Sequence, residues 1–217
     1  MSSSNSMPDS AFAALRQFAR KRTNVEMCEM CSRELAAEHQ HLLEPASRKL
    51  ICACEACAIL FSGGSGLKFK RVPRDVRFLK DFRMTEGQWD GLMIPIEMAF
   101  LFFSTPHAKT MAYYPSPAGA TESLLSLDTW NDVVSENPVL QQLRPDVEAL
   151  LVNRVGAARG VKPEFYVVPI DKCYELVGLI RMHWRGLSGG TEVWREVSKF
   201  FADLKNRSGV PSEEAHA

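Results

Sequence analysis

Two Cys-x-x-Cys pairs near the N-terminus constrain this chain more than any other feature of its sequence. Cys28 and Cys31 form the first pair, Cys54 and Cys57 form the second, and 22 residues separate them. Each pair can turn back on one metal ion, and a hairpin of the intervening length brings both pairs into one tetrahedral four-thiolate site. The spacing therefore predicts a metal-binding module over residues 25–61.

The metal expected in this module is zinc. The residues after Cys57 are typical of a first helical turn, whose positive dipole end favours thiolates. This arrangement resembles a zinc ribbon or treble-clef finger. Iron is the alternative, because rubredoxin also binds its metal with two such pairs. Rubredoxin usually has glycine after the second cysteine of each pair, whereas Ser32 and Ala58 follow here, and this difference favours zinc.

Three further side chains near the pairs can bind metal. Cys52 lies two residues before Cys54, so it could replace that cysteine or lie next to the ligands. His39 and His41 alternate in the same way and could hold a second metal with Cys52 and Glu44. The alternative is that a histidine only hydrogen-bonds to a cysteine sulfur or to a turn.

The histidines also fit loosely the motif that HNH endonucleases place between two Cys-x-x-Cys pairs. The few residues directly after Cys57 include no His or Asn that would complete a catalytic Mg²⁺ site, and the loop 45–50 includes no Asn. A nucleic-acid enzyme is therefore the least favoured reading.

Composition excludes several classes of partner. Lys plus Arg and Asp plus Glu are both 26, so the net charge of zero gives no general attraction to nucleic acid. The longest apolar run, residues 98–103, is far shorter than the roughly 20 residues of a membrane span. Residues 1–10 are Ser-rich and contain no apolar secretory region. We therefore expect a cytoplasmic protein with reduced cysteines.

Composition and hydrophobic periodicity divide the chain into five segments. They are a Ser-rich start with a short amphipathic helix (1–24), the metal-binding module (25–61), a linker and basic segment (62–83), an α+β domain (84–207) and a flexible tail (208–217). Strand and helix patterns alternate after residue 84 without repeated β-α-β units. The sequence thus predicts an α+β fold, in which a mixed, mainly antiparallel sheet with flanking helices follows the module.

Particular elements of the α+β domain can be placed. Thr85 can cap a helix that Pro95 ends. The other predicted helices cover residues 127–136, 171–184 and 191–205, and the predicted strands cover residues 96–103, 110–114, 147–155 and 165–169.

The segment 67–82 is the most basic stretch of the chain. A run of this kind is usually a solvated face or an edge strand that charge keeps from pairing further. The alternative is a docking strip for an acidic partner, with Lys70, Arg71 and Arg74 in contact.

Two glycine-containing turns run into a Thr-Glu pair at what the pattern predicts to be helix starts, at residues 117–123 and 187–193. Capping by the threonine hydroxyl explains both. The alternative for the second turn is an anion or carboxylate site made by the amides of Gly189, Gly190 and Thr191 with help from Arg185. Nowhere along the chain does a group of side chains suggest a catalytic nucleophile. We therefore expect a protein that is not an enzyme.

Five motifs together are similar to an uncharacterised bacterial family that is associated with gene clusters of oxygen-tolerant, high-affinity nickel-iron hydrogenases. They are residues 28–31, 39–44, 52–57, 114–123 and 184–194. The resemblance covers about residues 25–201 and implies no reaction or catalytic residue. It implies an accessory role in assembly, maturation or stabilisation, with hydrogenase subunits or their maturation factors as protein partners. A rubredoxin-like electron carrier for the hydrogenase is the alternative.

Overall fold

The computed structural model describes residues 25–62, 66–124 and 127–209. The amphipathic helix predicted within residues 1–24 lies outside the described residues. Residues 63–65 of the predicted linker and residues 210–217 of the predicted tail also lie outside the described residues.

A small three-stranded sheet carries the cysteine-rich part of the chain. Its strands are β1 (Gln40–Glu44), β2 (Lys49–Ala53) and β3 (Lys70–Arg71), in the order β2-β1-β3. The strands β1 and β2 form the hairpin predicted between the two cysteine pairs. Helix α1 (Glu55–Ser62) begins directly after Cys54, three residues earlier than the first helical turn predicted after Cys57. Residues 25–62 are called the cysteine module below.

A large six-stranded sheet forms the centre of the molecule. Its strands are β4 (Arg77–Phe78), β5 (Met98–Ser104), β6 (Lys109–Ser116), β7 (Gly119–Glu122), β8 (Glu148–Asn153) and β9 (Glu164–Pro169), in the order β4-β9-β8-β5-β6-β7. All strand pairings among the described residues are antiparallel. Residues 98–102 of the central strand β5 are all buried, because both faces of the sheet are covered.

Helices cover the large sheet on both faces. They are α2 (Glu86–Gly91), α3 (Leu127–Glu136), α4 (Ile170–His183) and α5 (Gly190–Arg207). Phe100 and Phe102 pack with α4 and α5 on one face, while Ala99 and Leu101 pack with α2 and α3 on the other. This arrangement confirms the α+β class and the mainly antiparallel sheet. No helix among the described residues has both the length and the apolar character that crossing a membrane requires.

Both predictions about the glycine-containing turns need correction. Thr121 and Glu122 lie in strand β7, opposite Tyr114 and Tyr113, and not at a helix start. The backbone there pairs with the edge of the large sheet, and this tertiary pairing overrides the local helix-start pattern. In the second turn a helix does begin, but Gly189 occupies the capping position in place of Thr191.

The cysteine module packs directly against the large sheet. Leu43 and Val72 are 2% exposed and belong to the same buried cluster as Phe100 of β5. The Arg48 guanidinium donates a hydrogen bond to the Tyr113 hydroxyl of β6. Strand β3 belongs to the small sheet and β4 to the large sheet, so the basic segment joins the two sheets as an edge strand of each.

Candidate metal centre

The four cysteines of the two pairs converge at one point, the four-cysteine cluster. Their sulfur atoms all lie within 4.8 Å of one another, and the Sγ atoms of Cys31 and Cys54 are 3.7 Å apart. Metal–sulfur bonds of about 2.3 Å place the sulfurs of a tetrahedral zinc site about 3.8 Å apart. Cys28, Cys54 and Cys57 are buried and Cys31 is exposed. The cluster can therefore hold one metal ion with little rearrangement.

The first pair is held in a tight turn. The Cys28 amide donates to the Arg33 carbonyl at 2.7 Å, and the Ser32 amide donates to the Cys28 carbonyl at 2.8 Å. Ser32 has a φ of 58°, a left-handed conformation that glycine adopts at lower cost. The backbone thus makes the turn for which rubredoxin uses glycine. The residue type at position 32 consequently carries less weight in the choice between zinc and iron than the sequence suggests.

The second pair is held by a helix start. Cys54 directly precedes α1, and its carbonyl accepts a hydrogen bond from the Ala58 amide at 2.9 Å. Cys57 lies in the first turn, where free backbone amides point toward the sulfurs. The positive end of the helix dipole at this position favours negatively charged thiolates.

The pKa values of two of the thiols are shifted in opposite directions. Burial raises the pKa of Cys28. Backbone hydrogen bonds from Cys54, Cys31 and Met30 together outweigh this effect and lower the pKa to about 6. Burial and then the neighbouring cysteine side chains raise the pKa of Cys57 to about 12. One thiolate therefore makes the next one unfavourable, and a cation bound among the sulfurs removes that repulsion.

A second group of side chains lies on the opposite face of the hairpin. His39, His41 and Cys52 each offer one ligand atom, and these atoms all lie within 4.8 Å of one another. His41 and Cys52 are direct partners in the β1–β2 pairing. We call these three residues the His-Cys cluster. Glu44 is not part of it, because its carboxylate accepts from Ser47 and pairs with Lys68.

The basic residues at positions 70 and 71 have partners within the chain. The Lys70 ammonium is 2.5 Å from the buried carboxylate of Asp146. The Arg71 guanidinium donates to Glu55 at 2.6 Å and to Gln40 at 3.0 Å. These ion pairs connect the small sheet to α1 and to the loop before β8.

Arg74 and the residues of the second glycine turn lie elsewhere. The exposed Arg74 lines a cleft that also borders His39 and His41. The Arg185 guanidinium donates to the carbonyls of Met182 and Trp184, both at 3.2 Å. Gly189, Gly190 and Thr191 lie at the start of α5, and the Arg185 amide donates to the Gly189 carbonyl at 3.0 Å. The structure thus places these four residues together at the α4–α5 connection.

Sequence reasoning missed Asp171, which contacts the His-Cys cluster. Its carboxylate is 2.7 Å from Nδ1 of His41, although 130 positions separate the two residues. Asp171 lies in the first turn of α4, where an acidic residue is expected for helix-dipole reasons alone. Nothing in the local sequence indicates that it meets a histidine of the small sheet.

The fold and the clusters define an α+β protein whose N-terminal cysteine module can hold a metal ion. The chain belongs to a family of unknown function, DUF5947, whose model matches residues 27–208. The match begins one residue before the first cysteine and ends just after α5. It confirms the resemblance to an uncharacterised family, while the association with hydrogenases stays a prediction. No curated protein and no solved structure matches the chain.

Proposed function

We propose that the chain is a zinc-ribbon accessory protein that assists assembly, maturation or stabilisation of a nickel-iron hydrogenase through protein contacts. Cys28, Cys31, Cys54 and Cys57 hold a structural zinc ion that anchors the turn of the first pair and the start of α1. The hydrogenase role follows from the family resemblance of the sequence. The protein-contact role is supported by the surface of α1.

One observation carries the protein-contact role. Ile59, Leu60 and Phe61 of α1 are 57%, 71% and 41% exposed. The same helix buries only Cys57 and Ala58, so its cysteine face points inward and its large apolar side chains point to solvent. Apolar groups gathered on a rigid, metal-anchored element are typical of a protein-interaction surface. We call Ile59, Leu60 and Phe61 the α1 ridge.

Four sulfur donors around one point form a closed site with no position left for a substrate, which suits a structural zinc ion and equally the single iron of a rubredoxin. The metal itself has to be measured. The protein should therefore be purified without a metal-binding tag and examined by elemental analysis and visible spectroscopy. Zinc bound to colourless protein is the expected result. Iron with a reducible visible band would replace this proposal by the rubredoxin-like electron carrier.

The partner test uses charge substitutions on the α1 ridge. The double variant Ile59→Lys and Leu60→Lys should reduce co-purification with tagged hydrogenase subunits or their maturation factors at least tenfold, because it places ammonium groups in an apolar contact. Val161→Lys is the matched control, since Val161 is 56% exposed, like Ile59, but lies in the loop before β9. Its capture should equal that of the unaltered protein.

Zinc content and circular dichroism should be the same in both variants, because the altered side chains point away from the four-cysteine cluster. Equal capture of all three proteins would contradict a role for the α1 ridge. Absence of capture even by the unaltered protein would contradict the hydrogenase role.

A further inference from the structure

We propose that the His-Cys cluster is a second transition-metal site, in which one nitrogen each of His39 and His41 and the sulfur of Cys52 bind a divalent ion and leave one coordination position open. The site is separate from the four-cysteine cluster and does not depend on the hydrogenase role. Zinc or a neighbouring divalent metal suits two imidazoles and one thiolate.

The orientation of the two histidines is the strongest observation. Nδ1 of His41 contacts Asp171 at 2.7 Å, and Nδ1 of His39 contacts the Ala36 carbonyl at 3.0 Å. Metal-binding histidines commonly donate one ring N–H to a carboxylate or carbonyl, which fixes the ring and leaves the other nitrogen free to bind. Both rings have this arrangement, so Nε2 is the available donor of each.

His39 supplies an independent sign of a missing ligand. Its side chain is only 6% exposed, and its Nε2 atom is buried without a hydrogen-bond partner among the described residues. A buried polar atom without a partner costs about 1–3 kcal/mol. The hydrogen bond that the sequence allowed between a histidine and a turn is present, from Nδ1 of His39 to the Ala36 carbonyl. It leaves Nε2 without a partner among the described residues, and a bound cation satisfies this atom.

The spacing of the donors needs only small side-chain rotations. The ligand atoms lie within 4.8 Å of one another, and the two imidazole rings meet edge to face with their centroids 4.8 Å apart. A tetrahedral ion with bonds of about 2.0–2.3 Å draws such atoms to about 3.3–3.6 Å. The β1–β2 pairing holds the backbones of His41 and Cys52 opposite each other throughout.

The charge around the cluster favours a cation. Asp171 contacts His41, and the Glu26 carboxylate lies 3.4 Å from His39. The Glu29 carboxylate accepts the backbone N–H of Cys52 at 3.0 Å. The binding of a divalent ion displaces the thiol proton of Cys52 to solvent and leaves a thiolate on the metal.

A cleft that opens to solvent borders the two histidines of the cluster. It has a volume of about 110 Å³ and is bordered by His39, His41, Asp171, Arg74 and Lys172. This volume holds a few water molecules at about 30 Å³ each. The fourth position of the metal therefore takes water or another small ligand, and the cations on the rim favour an anionic one. Three protein ligands with one open position is the pattern of reactive rather than structural zinc sites.

The test measures metal stoichiometry on the untagged full-length protein. The reduced protein is freed of metal, and zinc is then titrated against a chromophoric chelator. We expect two zinc ions per chain. Cys52→Ala and His39→Gln should each lower the stoichiometry to one. His183→Gln is the matched control, because His183 also contacts a carboxylate, that of Glu192 at 3.0 Å, but lies outside the cluster; it should keep two zinc ions.

Cobalt titration assigns each equivalent to its site. The four-cysteine cluster should give strong sulfur-to-cobalt charge-transfer bands that persist in Cys52→Ala, and their persistence shows that this variant is folded. The second equivalent should give weaker bands with one thiolate, and these bands should disappear in Cys52→Ala. Asp171→Asn should weaken binding of the second equivalent 10- to 100-fold, because Asp171 positions His41.

Two results would overturn the second site. One is a single equivalent in the unaltered protein with a cobalt spectrum that Cys52→Ala leaves unchanged. The other is a single equivalent with a four-thiolate spectrum that changes in Cys52→Ala, which would make Cys52 a ligand of the four-cysteine cluster. Loss of the four-thiolate bands from the unaltered protein would instead count against the proposed zinc ribbon and leave the second equivalent to be judged by its own spectrum.

Discussion

The two faces of the β1–β2 hairpin are built on different principles. Leu42, Ile51 and Ala53 pack with the cysteines on one face, and the hydrophobic side chains of that cluster all come from the described residues between 28 and 69. Leu43 points the other way and joins the core of the large sheet, on the side where His41 meets Asp171. One face is thus completed by local chain and sulfur donors, whereas the other needs residues more than a hundred positions away. The hairpin connects a small unit suited to a metal with a large hydrophobic core.

Metal removal should separate the two faces most strongly. A structural zinc ion contributes about 10–16 kcal/mol to folding in zinc-finger peptides, which is comparable to the whole stability of a domain. In the Cys52→Ala variant, in which only the four-cysteine cluster is expected to bind metal, a strong chelator should increase amide exchange in β1 and β2 at least 100-fold and in β5 and β8 much less. Hydrogen exchange with mass spectrometry measures this, and the same chelator already saturated with zinc is the control. Uniform loss of protection in both sheets would show that the two faces do not differ.

Neighbouring leucines provide the next largest test. Leu42 and Leu43 are 0% and 2% exposed on opposite faces, and removal of a buried leucine side chain costs about 2–5 kcal/mol. Leu43→Ala should lower the free energy of unfolding of the large sheet, measured by urea denaturation. Leu42→Ala should leave that transition nearly unchanged and weaken zinc binding by the cysteine module. Identical denaturation curves and zinc affinities for the two variants would remove the distinction.

Acid should produce the smallest effect of the three. It can be tested with one carboxylate in each sheet. Burial raises the pKa of Glu148, but hydrogen bonds from the Arg144 guanidinium and amide lower it below its ordinary value. Glu148 therefore stabilises the folded protein above its unfolded pKa, about 4.3. This contribution disappears as the pH falls through the lower folded value. Glu148→Gln should reduce the pH slope of the free energy of unfolding by less than one proton between pH 5 and pH 3.

Glu44 of β1 is the matched carboxylate in the small sheet. A hydrogen bond from the Ser47 hydroxyl, followed by the contact with Lys68, lowers its pKa. Glu44→Gln should therefore weaken the pH dependence of amide protection in β1 between pH 5 and pH 3. It should leave the urea transition of the large sheet unaltered. If Glu44→Gln also weakened the pH dependence of the free energy of unfolding measured with urea, acid would act on both sheets together.

The elements that the sequence predicted well are those with local signals. Helix α3 has the predicted bounds, because its apolar spacing and the Asn137-Pro138 stop are both encoded locally. Thr85 caps α2, as its residue type implies: its hydroxyl accepts from the Gln88 amide, and its own amide donates to the Gln88 side chain. The four cysteines could be recognised in the same way, since the two ligands of each pair are three positions apart.

The features that the sequence could not fix depend on long-range pairing. Thr121 and Glu122 carry a helix-start pattern but extend the large sheet, because the edge of β6 offers them backbone partners. The contact between His41 and Asp171 requires the small sheet to pack on α4. Alternation along the strand suggested that His39, His41 and Cys52 share a face, but only the register shows that they meet.

The shared core has a consequence for the inheritance of this protein. Zinc fingers that fold alone can occur in other proteins or in tandem arrays, because each one buries its own apolar side chains. In the cysteine module, Leu43 is buried only because Val72 and the side chains of the large sheet cover it. A gene fragment encoding the module alone would yield a chain with an uncovered apolar surface. The family model, which matches residues 27–208, accordingly includes both parts.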